Sequence, residues 1–165
     1  EADAEVIAMR GLVKRVVPEY SQNIVIERLA DNIDRFEIEK VGKNLVIRGN
    51  NANSMAVGLN HYLKYYCMAQ YSWFKEEPLQ IPATMPKVPA KVSESARVPD
   101  RFFLNYCTFG YTLPWWGWSQ WEHFIDWMAL NGINLPLAIT GQESVWYEVW
   151  SELGLTDEEI RSYFT

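Results

Sequence analysis

Polar side chains lie at the ends of two strand-like runs in the second half of the chain. The first group is Asn105, Cys107 and Tyr111, and the second is Thr140, Gln142 and Glu143. In a parallel β/α array, ligands bind at the carboxyl ends of the strands. Amides and carboxylates there fix the hydroxyl groups of a sugar, while aromatic faces cover the C–H surface of its ring. These residue types therefore predict a carbohydrate site.

Tryptophan is concentrated beside these groups. Seven of the eight tryptophans lie between Arg101 and Trp150. Trp115 and Trp116 follow Pro114 on a loop before a helix, so they are the better candidates for facing a ligand. Tryptophans at helical spacing, such as Trp121, are more often core residues. The alternative that much of the cluster is packing therefore stays open.

The pattern from residue 101 onward predicts the opening of a parallel α/β array. Strand-like runs at Phe102–Thr108 and Ile133–Ile139 alternate with helical patterns. Capping boxes are expected at Ser119–Glu122, Thr140–Glu143 and Thr156–Glu159. The first precedes a helix that reaches about Leu130, the second a helix at Ser144–Leu153, and the third the last helix of the chain. In the first of these helices, the expected buried stripe is Trp121, Phe124, Ile125 and Met128. Asn131-Gly132 is typical of its C-terminal cap.

The first seventy residues predict a small α+β domain. Its expected elements are a helix at Ala4–Val17, strands at Asn23–Leu29, Arg35–Val41 and Leu45–Arg48, and a helix at Ser54–Cys67 capped by Asn51 or Asn53. We expect an antiparallel sheet, with Glu37 and Glu39 as exposed carboxylates on one face. His61 is interpreted as a surface or boundary residue.

Five prolines separate this domain from the array. They are Pro78, Pro82, Pro86, Pro89 and Pro99. Because proline breaks helices and central strands, residues 71–100 are predicted to be an extended connector, with short edge strands at Tyr71–Phe74 and Leu79–Ile81. The predicted organisation is a small domain at 1–70, the connector at 71–100 and the array at 101–165.

Composition excludes several classes of function. Of the 165 residues, 48% are hydrophobic and the net charge is −6, without the basic patch that nucleic acid requires. No apolar run approaches the roughly 20 residues of a membrane span, and no glycine-rich phosphate loop supports nucleotide binding. Cys67 and Cys107 have no zinc-site spacing, and a disulfide between them stays open.

Localisation rests on two weak features of the sequence. The chain starts at Glu1 without methionine and carries no Asn-x-Ser/Thr sequon. The first feature is expected of a processed or trimmed product, which removal of a signal peptide would fit. The second favours a bacterial secreted protein over a eukaryotic one, so the expected location is secreted or periplasmic.

Several motifs together resemble one enzyme family. They are NYCTFGY at Asn105–Tyr111, WWxW at Trp115–Trp118, IDWMALNGIN at Ile125–Asn134 and GQE at Gly141–Glu143. This long ungapped block is similar to alpha-N-acetylglucosaminidases of glycoside hydrolase family 89. The resemblance covers residues 97–165 strongly. Residues 1–96 are similar, with lower specificity, to the small N-terminal domain of that family.

The resemblance implies an α/β fold and an activity. The expected architecture is a small N-terminal α+β domain, a (β/α)8-type barrel that begins near residue 101, and a C-terminal helical domain. The expected reaction is retaining exo-hydrolysis of terminal alpha-linked N-acetylglucosamine by two glutamates. In the family both glutamates lie on later barrel strands, so no catalytic residue is expected in this chain and both are expected C-terminal to Thr165. No metal or cofactor is implied.

The resemblance also carries over part of the substrate pocket. Asn105 and Cys107 match family positions that line the subsite for the N-acetylglucosamine ring, and Tyr111 matches a nearby tyrosine. Glu143 is expected to cap its helix rather than to act in catalysis. Pro136 departs from the small residue usual in the family and puts local strand pairing in doubt.

Two functional hypotheses follow. The first is the N-terminal part of a family-89-like glycosidase, whose partners are a glycan with terminal alpha-N-acetylglucosamine, the rest of the barrel and a helical domain. The second is a non-catalytic carbohydrate-binding or interaction module. Because two β/α units cannot close a barrel, the isolated 165-residue chain is expected to be inactive and poorly stable.

Overall fold

A computed structural model describes residues 3–75, 77–103, 107, 111–137 and 141–163. Within it the chain forms two compact units. The first comprises Glu1–Phe102 and Gly117–Leu135, and the second comprises Phe103–Trp116 and Pro136–Thr165.

The first unit contains a mixed sheet and three helices. In chain order its elements are α1 at Ala4–Val16, a 3-10 helix at Pro18–Asn23, β1 at Ile24–Arg28, β2 at Arg35–Val41, β3 at Asn44–Gly49, α2 at Ala52–Tyr65, β4 at Val92–Ser95 and α3 at Trp118–Leu130. The predicted helices and strands of the first seventy residues are therefore present, with ends shifted by one or two residues. Asn51 caps α2 by accepting from the backbone N–H of Ser54 at 2.8 Å.

The sheet has the order β1-β3-β2-β4, and the prediction of a purely antiparallel sheet is wrong. Strands β2 and β3 form an antiparallel hairpin around Gly42, whose φ of +59° suits the turn. Strand β1 pairs with the other side of β3 and runs parallel to it. The direction of β1 depends on which side of the hairpin it joins, which local alternation does not specify.

Strand β4 comes from the predicted connector. It pairs antiparallel with β2, whereas the expected edge strands at Tyr71–Phe74 and Leu79–Ile81 do not form. Glu37 lies opposite Ser93 of β4, is buried, and has the Lys91 ammonium 2.5 Å from its carboxylate. The prediction that Glu37 is exposed is therefore wrong, because β4 and its flanking lysine cover this part of β2.

Helices α1 and α2 and the sheet enclose one hydrophobic core. Its fully buried members include Met9, Ile38, Leu45, Ile47, Met55, Leu59, Tyr62 and Leu63. Leu130 at the end of α3 belongs to the same core. Close packing is visible at Gly58, where an added Cβ would lie 3.2 Å from both Phe36 and Ile47.

Helix α3 differs from its predicted start and buried face. It begins at Trp118, and the side chain of Gln120 accepts from the N–H of Gly117 at 3.0 Å, so Ser119 is not the cap. Phe124 and Met128 are buried as expected, but Ile125 is 44% exposed. Asp126 is buried instead, and its carboxylate accepts two hydrogen bonds from Arg15 of α1. The helix ends, as predicted, at Gly132 with φ of +74°.

In the C-terminal part of the second unit, the described residues form two helices with little buried surface. They are α4 at Gln142–Glu152 and α5 at Asp157–Arg161. The capping box predicted at Thr156 is present, because the Thr156 hydroxyl accepts from the Glu159 N–H at 3.3 Å and the Glu159 carboxylate accepts from the Thr156 N–H at 2.8 Å. No residue of α4 is buried.

No helix in the described part of the chain has the length and apolar character needed to cross a membrane.

Gly49 is a position where a single methyl group is expected to destabilise the first unit. In Gly49→Ala the new Cβ would lie 2.8 Å from the backbone nitrogen of Met55, which cannot move independently of α2. We expect a loss of about 1–3 kcal/mol in the free energy of unfolding, measured by urea denaturation.

The matched control for this change is Gly11→Ala in α1. Its Cβ would meet only the guanidinium end of Arg15, at 3.3 Å, and alanine favours a helix by up to about 1 kcal/mol over glycine. Gly11→Ala should therefore be neutral or stabilising. Equal losses in the two variants would contradict the steric explanation for Gly49.

Candidate functional site

The site begins with two short strands that run side by side. Strand β5 is Phe102–Phe103 and strand β6 is Leu135–Pro136, and they form a two-stranded sheet. The N–H of Leu135 donates to the carbonyl of Arg101, and the N–H of Leu137 donates to the carbonyl of Phe103. Donor and acceptor advance in the same direction, so the strands are parallel and their carboxyl ends lie at one edge.

Pro136 does not interrupt this pairing. The two donors on β6 are Leu135 and Leu137, on either side of the proline. Alternate residues of a strand donate to the same neighbour, so the missing N–H of Pro136 falls on the side away from β5. The departure at position 136 is compatible with the predicted strand.

The predicted pocket residues follow these strand ends in the second unit. Cys107 is exposed and carries a free thiol, and Tyr111 is 79% exposed. Both have helical backbone conformation, so β5 ends earlier than the predicted Thr108. Asn105 and Thr140 lie outside the described residues. Gln142 and Glu143 form the exposed first turn of α4.

Glu143 has the position of a helix-terminal carboxylate. It lies in the first turn of α4, where a negative charge interacts favourably with the helix dipole. Gly141, with φ of +86°, precedes the helix and allows the sharp entry of the chain. Helix α4 begins at Gln142, two residues before the predicted start at Ser144.

The loop tryptophans differ in exposure. Trp115 ends a 3-10 helix at Leu113–Trp115 and is 86% exposed, whereas Trp116 is half-buried. Leu113 of the same 3-10 helix is fully buried. Of the two tryptophans, Trp115 therefore presents an open aromatic face, the feature that a sugar ring requires.

A polar cluster connects α4 to α5 in the second unit. The hydroxyl of Tyr147 donates to Asp157 at 2.6 Å, and Arg161 binds the same carboxylate at 2.8 Å. The hydrogen bond from Tyr147, together with that from Arg161, lowers the pKa of Asp157. The same bond to Asp157 raises the pKa of Tyr147. Sequence patterns predicted both helices but not this contact.

The amino ends of β5 and β6 are held by side chains that sequence reasoning missed. The amide of Asn134 accepts from the N–H of Arg101 at 2.8 Å and donates to the carbonyl of Pro99 at 2.8 Å. Asn53 of α2 donates to the carbonyl of Ile133 at 3.0 Å, and Asn60 donates to that of Leu130 at 2.7 Å. No local sequence pattern predicts these bonds, because each joins residues that are far apart along the chain.

Comparison with protein-family models identifies both halves of the chain. Residues 7–87 match the alpha-N-acetylglucosaminidase N-terminal domain, and residues 101–165 match the alpha-N-acetylglucosaminidase tim-barrel domain. The chain belongs to the alpha-N-acetylglucosaminidase family. The fold predicted from sequence, a small N-terminal α+β domain followed by the first β/α units of a barrel, is confirmed.

Individual relatives agree with this assignment. The chain is 38% identical to human alpha-N-acetylglucosaminidase over 98% of its own length and 22% of the human protein. It is also similar to a family 89 glycoside hydrolase from Clostridium perfringens in complex with 2-acetamido-1,2-dideoxynojirmycin, with 38% identity and a TM-score of 0.85. That match covers 94% of this chain and 18% of the bacterial one. The chain thus spans about a fifth of the length of these relatives.

Proposed function

We propose that the protein carrying this chain hydrolyses terminal alpha-linked N-acetylglucosamine from glycans. In this proposal the small domain at 1–70 and the connector at 71–100 precede the barrel, which begins near residue 101. Residues after β5 and β6 form one wall of the sugar pocket, with Asn105, Cys107 and Tyr111 on it. Two glutamates on later barrel strands act as nucleophile and acid/base, with retention of configuration.

One comparison carries the proposal. A Clostridium perfringens family 89 protein, in a form with two glutamates replaced by glutamine, is described in complex with its substrate GlcNAc-alpha-1,4-galactose. This chain matches it with a TM-score of 0.84 and 38% identity over 94% of its length, or 18% of the bacterial chain. The exposed Tyr111 and Trp115 support a sugar-facing surface on the matching part.

The direct test uses the full-length protein. We expect it to release 4-nitrophenol from 4-nitrophenyl alpha-N-acetylglucosaminide and to leave the beta anomer intact, because a retaining alpha-glycosidase places its carboxylates for one anomer only. No release at any pH between 4 and 8 would contradict the proposal. If calorimetry then still detects N-acetylglucosamine binding, the alternative of a non-catalytic carbohydrate-binding module is supported instead.

The pocket role of Cys107 is tested by alkylation of the full-length protein. Cys107 is exposed and is expected to react with iodoacetamide. N-acetylglucosamine at about ten times its dissociation constant should slow this reaction about tenfold, because only the sugar-free protein reacts. Mass spectrometry of the modified peptide measures the rate.

Cys67 provides the internal control for that experiment. Its thiol is buried, and burial raises its pKa, so it should react slowly with or without sugar. An alkylation rate of Cys107 that is independent of the sugar would contradict its place in the pocket.

Secretion or periplasmic localisation stays a prediction, which fractionation of the producing cells can test.

A further inference from the structure

The guanidinium of Arg101, the residue before β5, has every donor occupied. Its Nε donates to the carbonyl of Gly132 at 2.5 Å. Its Nη1 donates to the carbonyls of Val98 and Pro99, both at 3.0 Å. Its Nη2 donates to the carboxylate of Asp34 at 2.6 Å and to the side-chain oxygen of Asn53 at 3.1 Å. An arginine side chain has five N–H donors in a rigid fork, so this set of acceptors fixes its position and orientation.

The five acceptors come from four separate segments of the first unit. Asp34 precedes β2, Asn53 lies in α2, Val98 and Pro99 end the connector, and Gly132 caps α3. These segments are distant in sequence: Asp34 and Asn53 lie in the matched N-terminal domain, Gly132 lies in the matched barrel domain, and Val98 and Pro99 lie between the two matched ranges. A single side chain therefore ties the start of β5 to the sheet, to α2 and to the turn that leads into β6.

The pairing with Asp34 is electrostatically favourable despite partial burial. Desolvation alone would raise the pKa of Asp34, but hydrogen bonds from Arg101, Asn50 and Asn51 outweigh it and lower that pKa. Asn51 donates to the Asp34 carboxylate at 2.6 Å. Asp34 is thus charged at neutral pH and held from two sides, so it is a fixed anchor for the guanidinium.

The backbone of Arg101 also forms hydrogen bonds, and these connect the start of β5 to the start of β6. Its carbonyl accepts from the N–H groups of Asn134 and Leu135, at 3.2 and 3.3 Å, and its own N–H donates to the Asn134 side chain. These are the first bonds of the β5–β6 pair. The same residue that is locked by its side chain therefore also sets the register of the two strands.

We infer that Arg101 is a positioning residue for the sugar pocket. By fixing the origin and register of β5 and β6, it determines where the residues beyond their carboxyl ends, Cys107 and Tyr111 among them, meet the sugar. The inference rests on the proposed function, because it concerns the same pocket. Displacement of a binding group by about 1 Å can lower activity by about 100-fold, so a small shift of these strands is enough.

The test compares Arg101→Lys with Arg97→Lys in the full-length protein. Lysine keeps the charge but cannot reproduce the five-donor fork, whereas Arg97 is exposed and four residues away on the same segment. We expect Arg101→Lys to raise both KM for 4-nitrophenyl alpha-N-acetylglucosaminide and the inhibition constant of N-acetylglucosamine by about 10- to 100-fold. Arg97→Lys should change neither by more than about twofold.

These readouts separate positioning from simple destabilisation. If Arg101 only stabilised the fold, fewer molecules would be active, so kcat would fall while KM and the inhibition constant stayed unchanged. That outcome, with a matching decrease of the folded fraction in circular dichroism, overturns the inference. If the unsubstituted protein is inactive, both the proposed function and the inference are contradicted. If the unsubstituted protein is active and Arg101→Lys has unchanged KM and inhibition constant, only the inference is contradicted.

A milder variant keeps the test decisive if Arg101→Lys does not fold. Asn53→Ala removes one acceptor of Arg101 and the donor to Ile133 but leaves the ion pair with Asp34. We expect the inhibition constant of N-acetylglucosamine to rise about fivefold, with the exposed Asn32→Ala as control. An unchanged inhibition constant in Asn53→Ala contradicts the inference.

Discussion

In the isolated 165-residue chain, backbone amides of α4 are expected to exchange with solvent at least about 100-fold faster than those of α2. Helix α4 has no buried residue, whereas eight residues of α2 are buried. An 11-residue helix is marginal in water without tertiary packing. Hydrogen exchange followed by mass spectrometry measures the difference directly.

The exposed side of α4 explains this expectation. Its large apolar side chains with at least 45% exposure are Val145, Trp146, Val149 and, at the cap, Leu153. Apolar residues in such number on one short helix are unusual for a monomeric surface and need a covering surface. The isolated chain should accordingly bind a hydrophobic dye.

Two leucine substitutions make the comparison quantitative. Leu59→Ala in α2 removes a side chain with no exposure and should lower the free energy of unfolding by about 2–5 kcal/mol. Leu153→Ala removes one that is 73% exposed and should have almost no effect in the isolated chain. Equal protection of α2 and α4, or equal losses in the two variants, would show that α4 is packed in the isolated chain.

Replacing Arg15 is expected to destabilise the first unit more than replacing its partner. Arg15 of α1 donates two hydrogen bonds of 2.7 Å to the carboxylate of Asp126, which is only 3% exposed. The hydrogen bond to Asp126 raises the pKa of Arg15, so the guanidinium stays charged. In Arg15→Met the carboxylate stays buried without its partner, and the expected loss is about 3–5 kcal/mol.

The reverse change is expected to cost less. In Asp126→Ala, Arg15 keeps a half-exposed guanidinium that water can solvate, with Glu122 3.8 Å away. We expect a loss of about 1–2 kcal/mol, measured by urea unfolding with an unchanged m-value. Larger destabilisation from Asp126→Ala than from Arg15→Met would reverse the assignment of the desolvated partner.

The double variant Arg15→Met with Asp126→Leu tests the same point independently. Replacing a buried pair by apolar residues of similar volume is often neutral. The double variant should therefore be more stable than Arg15→Met alone. If the loss in the double variant equalled the sum of the losses in Arg15→Met and Asp126→Leu measured singly, the two side chains would not interact.

Several features of this protein are determined locally, and the sequence predicted them. Helix α1 ends before Pro18, the turn of the β2–β3 hairpin falls at Gly42, α3 ends at Gly132, and Thr156 caps α5. Each depends on the conformational preference of one residue or on a contact across three positions. The family resemblance, carried by ungapped motifs between residues 105 and 143, was likewise readable without a structure.

The features that sequence reasoning got wrong depend on distant partners. Ile125 was expected to be buried but is exposed, whereas Asp126, which was not part of the expected buried stripe, is buried. Hydrophobicity alone does not reveal that the partner of Asp126 is an arginine 111 residues away. Glu37 was expected to be exposed, because no residue near it in sequence indicates that β4, from the proline-rich segment, pairs with β2.

For the carbohydrate site, too, some features were predictable from local sequence and others depend on distant partners. The residue types that follow the two strands, and the family they belong to, could be read from the amino-acid sequence. The parallel pairing of β5 and β6, and the role of Arg101 in holding their start through acceptors from four segments, became evident from the folded structure. Local preferences act over a few residues, whereas a shared hydrogen-bond acceptor or a buried charge is specified only once the chain has folded.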